Sequence, residues 1–93
     1  MYERILRQLR QKVRTRQYVV SIHAAEEMDE DGYGILDVEA GILTGAILER
    51  QRDADTGEAK YRIGGTTAAE RRIEEIVKLG PTGKLVIITV YQP

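Results

Sequence analysis

The chain predicts an α+β domain, with N-terminal helices packed on a four-stranded, largely antiparallel sheet. Two observations carry this expectation. Apolar residues recur at three- and four-residue spacing through most of the first half, and from Ala46 onward they alternate with period two between turn-rich breaks. The chain has 93 residues, enough for one modest core and too few for a second, so residues 1–93 read as a single domain.

The elements follow in order. Residues 2 to about 15 read as a helix, because Tyr2, Ile5, Leu6, Leu9 and Val13 form one apolar stripe with arginines and glutamines between them. Tyr18, Val19, Val20 and Ile22 favour a short strand that either lengthens the sheet or remains an extended link. Ser21 is placed to cap a helix over Ala24 to Asp31, which Gly32 and Gly34 break. Ile35, Leu36, Val38, Ile42 and Leu43 give a second short helix, with Asp37 and Glu39 in its first turn and Gly45 as its C-cap.

Four strands complete the chain as successive hairpins. Ala46 to Arg52 is closed by Asp53-Ala54-Asp55-Thr56-Gly57, a sequence suited to a hairpin loop. In Glu58 to Gly64 the residues Ala59, Tyr61 and Ile63 face the core, and Lys60 and Arg62 share the other face. Arg71 to Leu79 alternates less cleanly, with Ile73, Val77 and Leu79 on one parity, which points to a bulge or a slip. After the turn Gly80-Pro81-Thr82-Gly83, the run Lys84 to Gln92 is apolar on both parities and reads as a central strand.

Composition limits the chemistry. There is no cysteine, phenylalanine or tryptophan, so the core is aliphatic with five tyrosines as its only large rings, and disulfides and thiolate metal sites are excluded. One histidine without cysteine makes a closed zinc site an improbable ligand set, and neither a metal nor a cofactor is expected. No run approaches the roughly 20 apolar residues of a membrane span and no signal peptide is evident, so the chain reads as cytoplasmic.

The net charge of −1 conceals a separation. Arg4, Arg7, Arg10, Lys12, Arg14 and Arg16 stand against Glu3 alone. No lysine or arginine lies between Gln17 and Glu49, where Glu26, Glu27, Asp29, Glu30, Asp31, Asp37 and Glu39 gather. Such segments can bind each other, bind nucleic acid and a basic partner separately, or simply keep two faces solvated.

His23 is the only side chain whose ordinary pKa lies near neutrality, so acid or base chemistry turns to it first; the alternative is a capping or packing residue at a strand-to-helix junction. Gly64-Gly65-Thr66-Thr67 and Gly80-Pro81-Thr82-Gly83-Lys84 lack the order of a phosphate-binding loop and read as turns.

The segment Ser21-Ile22-His23-Ala24-Ala25-Glu26-Glu27-Met28, the Gly32 to Val38 element, the strand Tyr61-Arg62-Ile63-Gly64-Gly65 and the closing Ile87-Ile88-Thr89-Val90-Tyr91 resemble a bacterial domain-of-unknown-function family. That family in turn resembles the RelE-like toxins of toxin–antitoxin systems. The resemblance implies a RelE-like fold, metal-independent acid/base cleavage of RNA, a ribosome or free RNA as partner, and an antitoxin of zinc-finger or helix-turn-helix type. The chain departs from the pattern at Met28-Asp29-Glu30-Asp31-Gly32, an acidic tip that repels phosphate and suits a basic partner instead.

RNA cleavage needs a base, an acid and a cation near the phosphorane. Under the toxin reading His23, Arg62 and Tyr91 are catalytic and Arg4, Arg7, Arg14 and Lys60 hold RNA, with Thr89 beside Tyr91. The second function class is a non-catalytic interaction module on the same fold, docking through the acidic helix or a strand edge.

Overall fold

The structure, a computed structural model, describes residues 1–93. The elements run α1 (Glu3–Arg14), β1 (Tyr18–Val20), α2 (Ile22–Asp31), α3 (Ile35–Thr44), β2 (Ala46–Arg52), β3 (Ala59–Thr66), β4 (Arg72–Leu79) and β5 (Leu85–Tyr91). They build one sheet in the order β1-β5-β4-β3-β2. β2 to β5 pair as the expected antiparallel hairpins, with a bulge between β4 and β5 at Ile76/Val77. β1 pairs parallel with β5 through Tyr18↔Leu85 and Val20↔Ile87.

The expected four-stranded, largely antiparallel sheet is thus corrected to a five-stranded mixed one. A three-residue strand has no hairpin turn to name its partner. Its partner is decided by packing, with Tyr18 and Val20 lying against the edge of the core and the Tyr18 hydroxyl donating to Glu39 on α3.

α2 takes over where β1 ends. Ser21 caps it by accepting from the Ala24 amide at 3.0 Å, and its hydroxyl donates to the Ile88 carbonyl at 2.9 Å. Farther along, the Val90 amide donates to Glu27 at 3.1 Å and the Gln92 amide to Asp31 at 3.1 Å. One half of the outer edge of β5 is therefore paired by backbone and the other half by side chains of α2, which blunts an edge that would otherwise template another strand. Glu27 and Asp31 are occupied in this way, leaving Glu26, Asp29 and Glu30 as the exposed acids of the helix.

All three helices pack into one core with one face of the sheet. Leu9 and Val13 of α1, Ala24 and Met28 of α2, and Val38 and Ile42 of α3 meet Ile63, Ile73, Val77 and Val90. Arg10 fastens α1 to the end of α3 by donating to the carbonyls of Ile42 at 3.3 Å and Gly45 at 2.8 Å, acceptors that a helix terminus leaves unpaired. α3 lies unusually near β3: a Cβ at Gly65 would stand 2.1 Å from the Gly41 carbonyl oxygen. No helix is long and apolar enough to cross a membrane.

A candidate functional site on the open face of the sheet

With the helices on one side, alternation turns Lys60 and Arg62 of β3, Glu74 of β4 and Tyr91 of β5 to the other. Register then decides which of them meet. Glu74 lies directly opposite Tyr91 on one side and Gly64 on the other, and Arg62 is one step along, opposite Ile76, which faces Thr89. Cross-strand neighbours on one face are close enough for side chains to bond.

They form a network around one oxygen. Arg62 Nη1 donates to Glu74 Oε1 at 2.8 Å, and the Tyr91 hydroxyl donates to the same oxygen at 2.6 Å. Arg62 Nε reaches back to Glu49 on β2 at 3.3 Å. Glu74 is nearly buried, yet the Tyr91 hydrogen bond, and after it the Arg62 guanidinium, hold its carboxyl below its ordinary pKa. Burial, reinforced by the hydrogen bond to Glu74, raises the Tyr91 phenol above its own. The result is a carboxylate kept charged beside a phenol kept protonated.

A cleft of about 360 Å³ opens beside this network, lined among others by Leu48, Gly64, Thr66, Arg72 and Glu74. Gly64 leaves room beside Leu48, since a Cβ there would lie 2.8 Å from Leu48 Cδ1 and displace that side chain. Arg72 stands exposed at its rim, and its side chain makes no hydrogen bond or ion pair. Its volume is at the small end of the range of ligand pockets, roughly 300–1,000 Å³, and only three of its ten lining residues are hydrophobic.

The residues singled out from sequence fall into three places. Arg62 and Tyr91 are brought together. Lys60 shares their face, where it pairs with Asp53 at 3.9 Å. Arg4, Arg7 and Arg14 are exposed on α1, in the helical layer, and none has a carboxylate partner. Two grooves flank that helix and meet at Arg7; the larger, about 590 Å³, also takes in Gln8, Gln11 and Lys12. His23 stands on α2 with its side chain 67% exposed, 3.2 Å from Glu27 Oε1, and has no hydrogen bond or ion pair to Arg62, Glu74 or Tyr91.

Glu74, Glu49, Arg72 and Gly64 were not among the expected site residues. Glu74 had a signal: it shares parity with Arg72, Ile76 and Lys78, opposite to Ile73 and Val77, so alternation alone places it on the face of Arg62. Its meeting with Tyr91 depends on hairpin register, which the bulge at Ile76/Val77 shifts.

Residues 20–92 match a family model described as a domain of unknown function, DUF4258, and the chain belongs to that family. Neither a curated protein nor a solved structure matches it significantly. The matched residues contain the whole Arg62–Glu74–Tyr91 network and all of the cleft lining except Pro93, and α1 with its arginines precedes them.

Proposed function

We propose that the chain is a RelE-like toxin or a ribonuclease derived from one, cleaving RNA in the cytoplasm by acid and base catalysis on the open face of the sheet. The observation that carries this is the convergence of Arg62 and Tyr91 on a single Glu74 oxygen beside a cleft. In the step envisaged, Glu74 takes the proton of an RNA 2′-hydroxyl as its oxygen bonds to phosphorus. The bond from phosphorus to the 5′-oxygen breaks, and Tyr91 gives that oxygen its proton. The hydrogen bond between Tyr91 and Glu74 then returns the proton, so the centre ends as it began, with a 2′,3′-cyclic phosphate and a 5′-hydroxyl as products. Arg62 stabilises the charge that builds on the phosphorane, and Lys60 and Arg72 hold flanking phosphates. Because the Glu74 carboxyl has a lowered pKa it is a weak base, so most of the acceleration falls to Arg62 and to positioning.

Arg4, Arg7 and Arg14 steer RNA by charge from the helical layer. An antitoxin of zinc-finger or helix-turn-helix type is the partner that would cover the open face. His23 lies outside this centre and serves as the comparison. In the test, wild type, Arg62→Ala, Tyr91→Phe and His23→Ala are each expressed from a tight promoter while growth is followed and new RNA 5′ ends are mapped. Arrest and cleavage by wild type and His23→Ala, and by neither of the other two, is the expected result; soluble wild type that neither arrests growth nor yields new ends rejects the proposal.

One observation favours the second function class, a non-catalytic interaction module. Lys60, Lys78 and Arg62 are each paired with a carboxylate on the open face, while Arg4, Arg7 and Arg14 are not paired at all. Docking of an acidic partner on α1, and not through the acidic helix or a strand edge as expected for this class, distinguishes it when charge reversal at Arg7 and Arg14 abolishes the docking with no RNA product formed.

A further inference from the structure

Glu75 is the one polar residue for which the fold provides nothing. It is 0% exposed, and neither carboxyl oxygen has a hydrogen-bond partner. Its neighbours on the core face of the sheet are Ile63 and Val90. None of the three surface clefts reaches it. α3 covers it at Gly41, where a Cβ would fall 2.4 Å from Glu75 Oε2. The carboxyl thus fills the space that any side chain at position 41 would take, and helix and acid are fitted to each other.

The charged groups of the surrounding elements are turned elsewhere. On α3, Asp37 accepts from the Gly34 amide and Glu39 from the Tyr18 hydroxyl. On β3 and β5, Lys60, Arg62 and Tyr91 lie on the open face, as do Arg72, Glu74 and Lys78 of β4 itself. Two further tyrosines are titratable groups on this side: Tyr33, whose hydroxyl donates to the Arg72 carbonyl at 2.5 Å with Arg71 stacked over its ring at 4.2 Å, and Tyr61, on the core face of β3. No cation is available to neutralise an ionised Glu75, and burial raises its pKa well above the ordinary 4.5.

We propose that Glu75 is a proton-operated latch: protonated, it lets α3 seat on the sheet at Gly41, and its ionisation lifts α3 away to admit water. The consequence reaches the surface, because the last residue of α3, Thr44, together with Ala46, Gly64 and Gly65, lines the cleft beside Glu74. Lifting α3 also strains the anchorage of Arg10 on Ile42 and Gly45. The cleft is then shaped by a proton that never contacts its occupant.

The sign is fixed by linkage. A group with a raised folded-state pKa contributes stability that is fully present below the unfolded pKa and is lost as pH rises through the folded one. The test is amide hydrogen exchange of the full chain, corrected for the intrinsic pH dependence, between about pH 5 and about pH 9, on wild type, Glu75→Gln and Glu75→Leu. The opening constant of α3 amides in wild type is expected to rise by up to about tenfold per pH unit once Glu75 begins to ionise in the open state, ahead of the amides of β4 and β5. Glu75→Gln and Glu75→Leu retain His23 and Glu27 and lose only this dependence. The same slope in either variant as in wild type overturns the proposal, and so does simultaneous loss of protection in α3 and the sheet. Should Glu75→Gln not fold, Glu75→Leu carries the comparison alone.

Discussion

Glu74 and Glu75 are adjacent in sequence and opposite in chemistry. Glu74 points to the open face, receives Arg62 and Tyr91, and is held charged. Glu75 points into the core, receives nothing, and has its pKa pushed up by burial. The residue type is the same and the separation is one position. What differs is the side of a pleated strand, and with it the dielectric and the hydrogen-bonding company of the carboxyl. β4 therefore carries one acid whose charged form is favoured on the open face and one whose neutral form is favoured at the helical interface, and a one-residue slip would exchange them.

The two sides can be broken separately. The largest effect is expected on the helical side from Gly65→Ala, because its Cβ would meet a backbone carbonyl that cannot rotate away. A loss of about 3 kcal/mol or more in urea unfolding is predicted, with the open-face network unaffected in the surviving folded fraction. A loss under about 1 kcal/mol would mean that α3 and β3 are not held as close as the structure places them.

On the open face Glu74→Gln keeps the shape and removes the charge. It should cost about 1–2 kcal/mol at neutral pH, the scale of a charge-assisted hydrogen bond. The lowered folded-state pKa of Glu74 means that its contribution is present above the ordinary 4.5 and fades as pH falls through the folded value, so wild type and variant should converge in acid. A gap that stays constant down to about pH 2 would show that packing, and not ionisation, sets the cost.

The smallest effect is expected at His23. Its pair with Glu27 is exposed on the histidine side, and the Val90 amide satisfies Glu27 without it. His23→Ala should change stability by less than about 0.5 kcal/mol. A larger loss would assign His23 a part in holding α2 on the β5 edge.

Much of this arrangement was legible in the chain, for identifiable reasons. The stripe Ile5, Leu6, Leu9, Val13 gave α1, Ser21 announced the start of α2, and the loop from Asp53 to Gly57 placed the β2–β3 hairpin, because these are local signals. β1 was legible as a strand and illegible as a partner of β5, since three residues carry no register and a parallel pairing so distant in sequence is set by packing. Arg62 and Tyr91 were selected for their chemistry, and alternation put each on a face. Their meeting at Glu74 required the β4–β5 register, which the bulge displaces. Glu75 was visible as an acid on the parity of Ile73 and Val77, an inconsistency in the pattern that marks it as special. His23 stands out by its ordinary pKa and by its place in the Ser21–Met28 motif, and the fold sets it on an exposed turn of α2 with no bond to the network.

Under the proposed function the open face, and not the histidine, does the chemistry. The most direct measurement is RNA 5′-end mapping after brief induction of wild type, Arg62→Ala and His23→Ala at matched soluble levels. New ends bearing a 5′-hydroxyl with wild type and His23→Ala, and none with Arg62→Ala, is the predicted result; cleavage that survives Arg62→Ala and is lost in His23→Ala would contradict the claim and move the reaction to the N-terminus of α2.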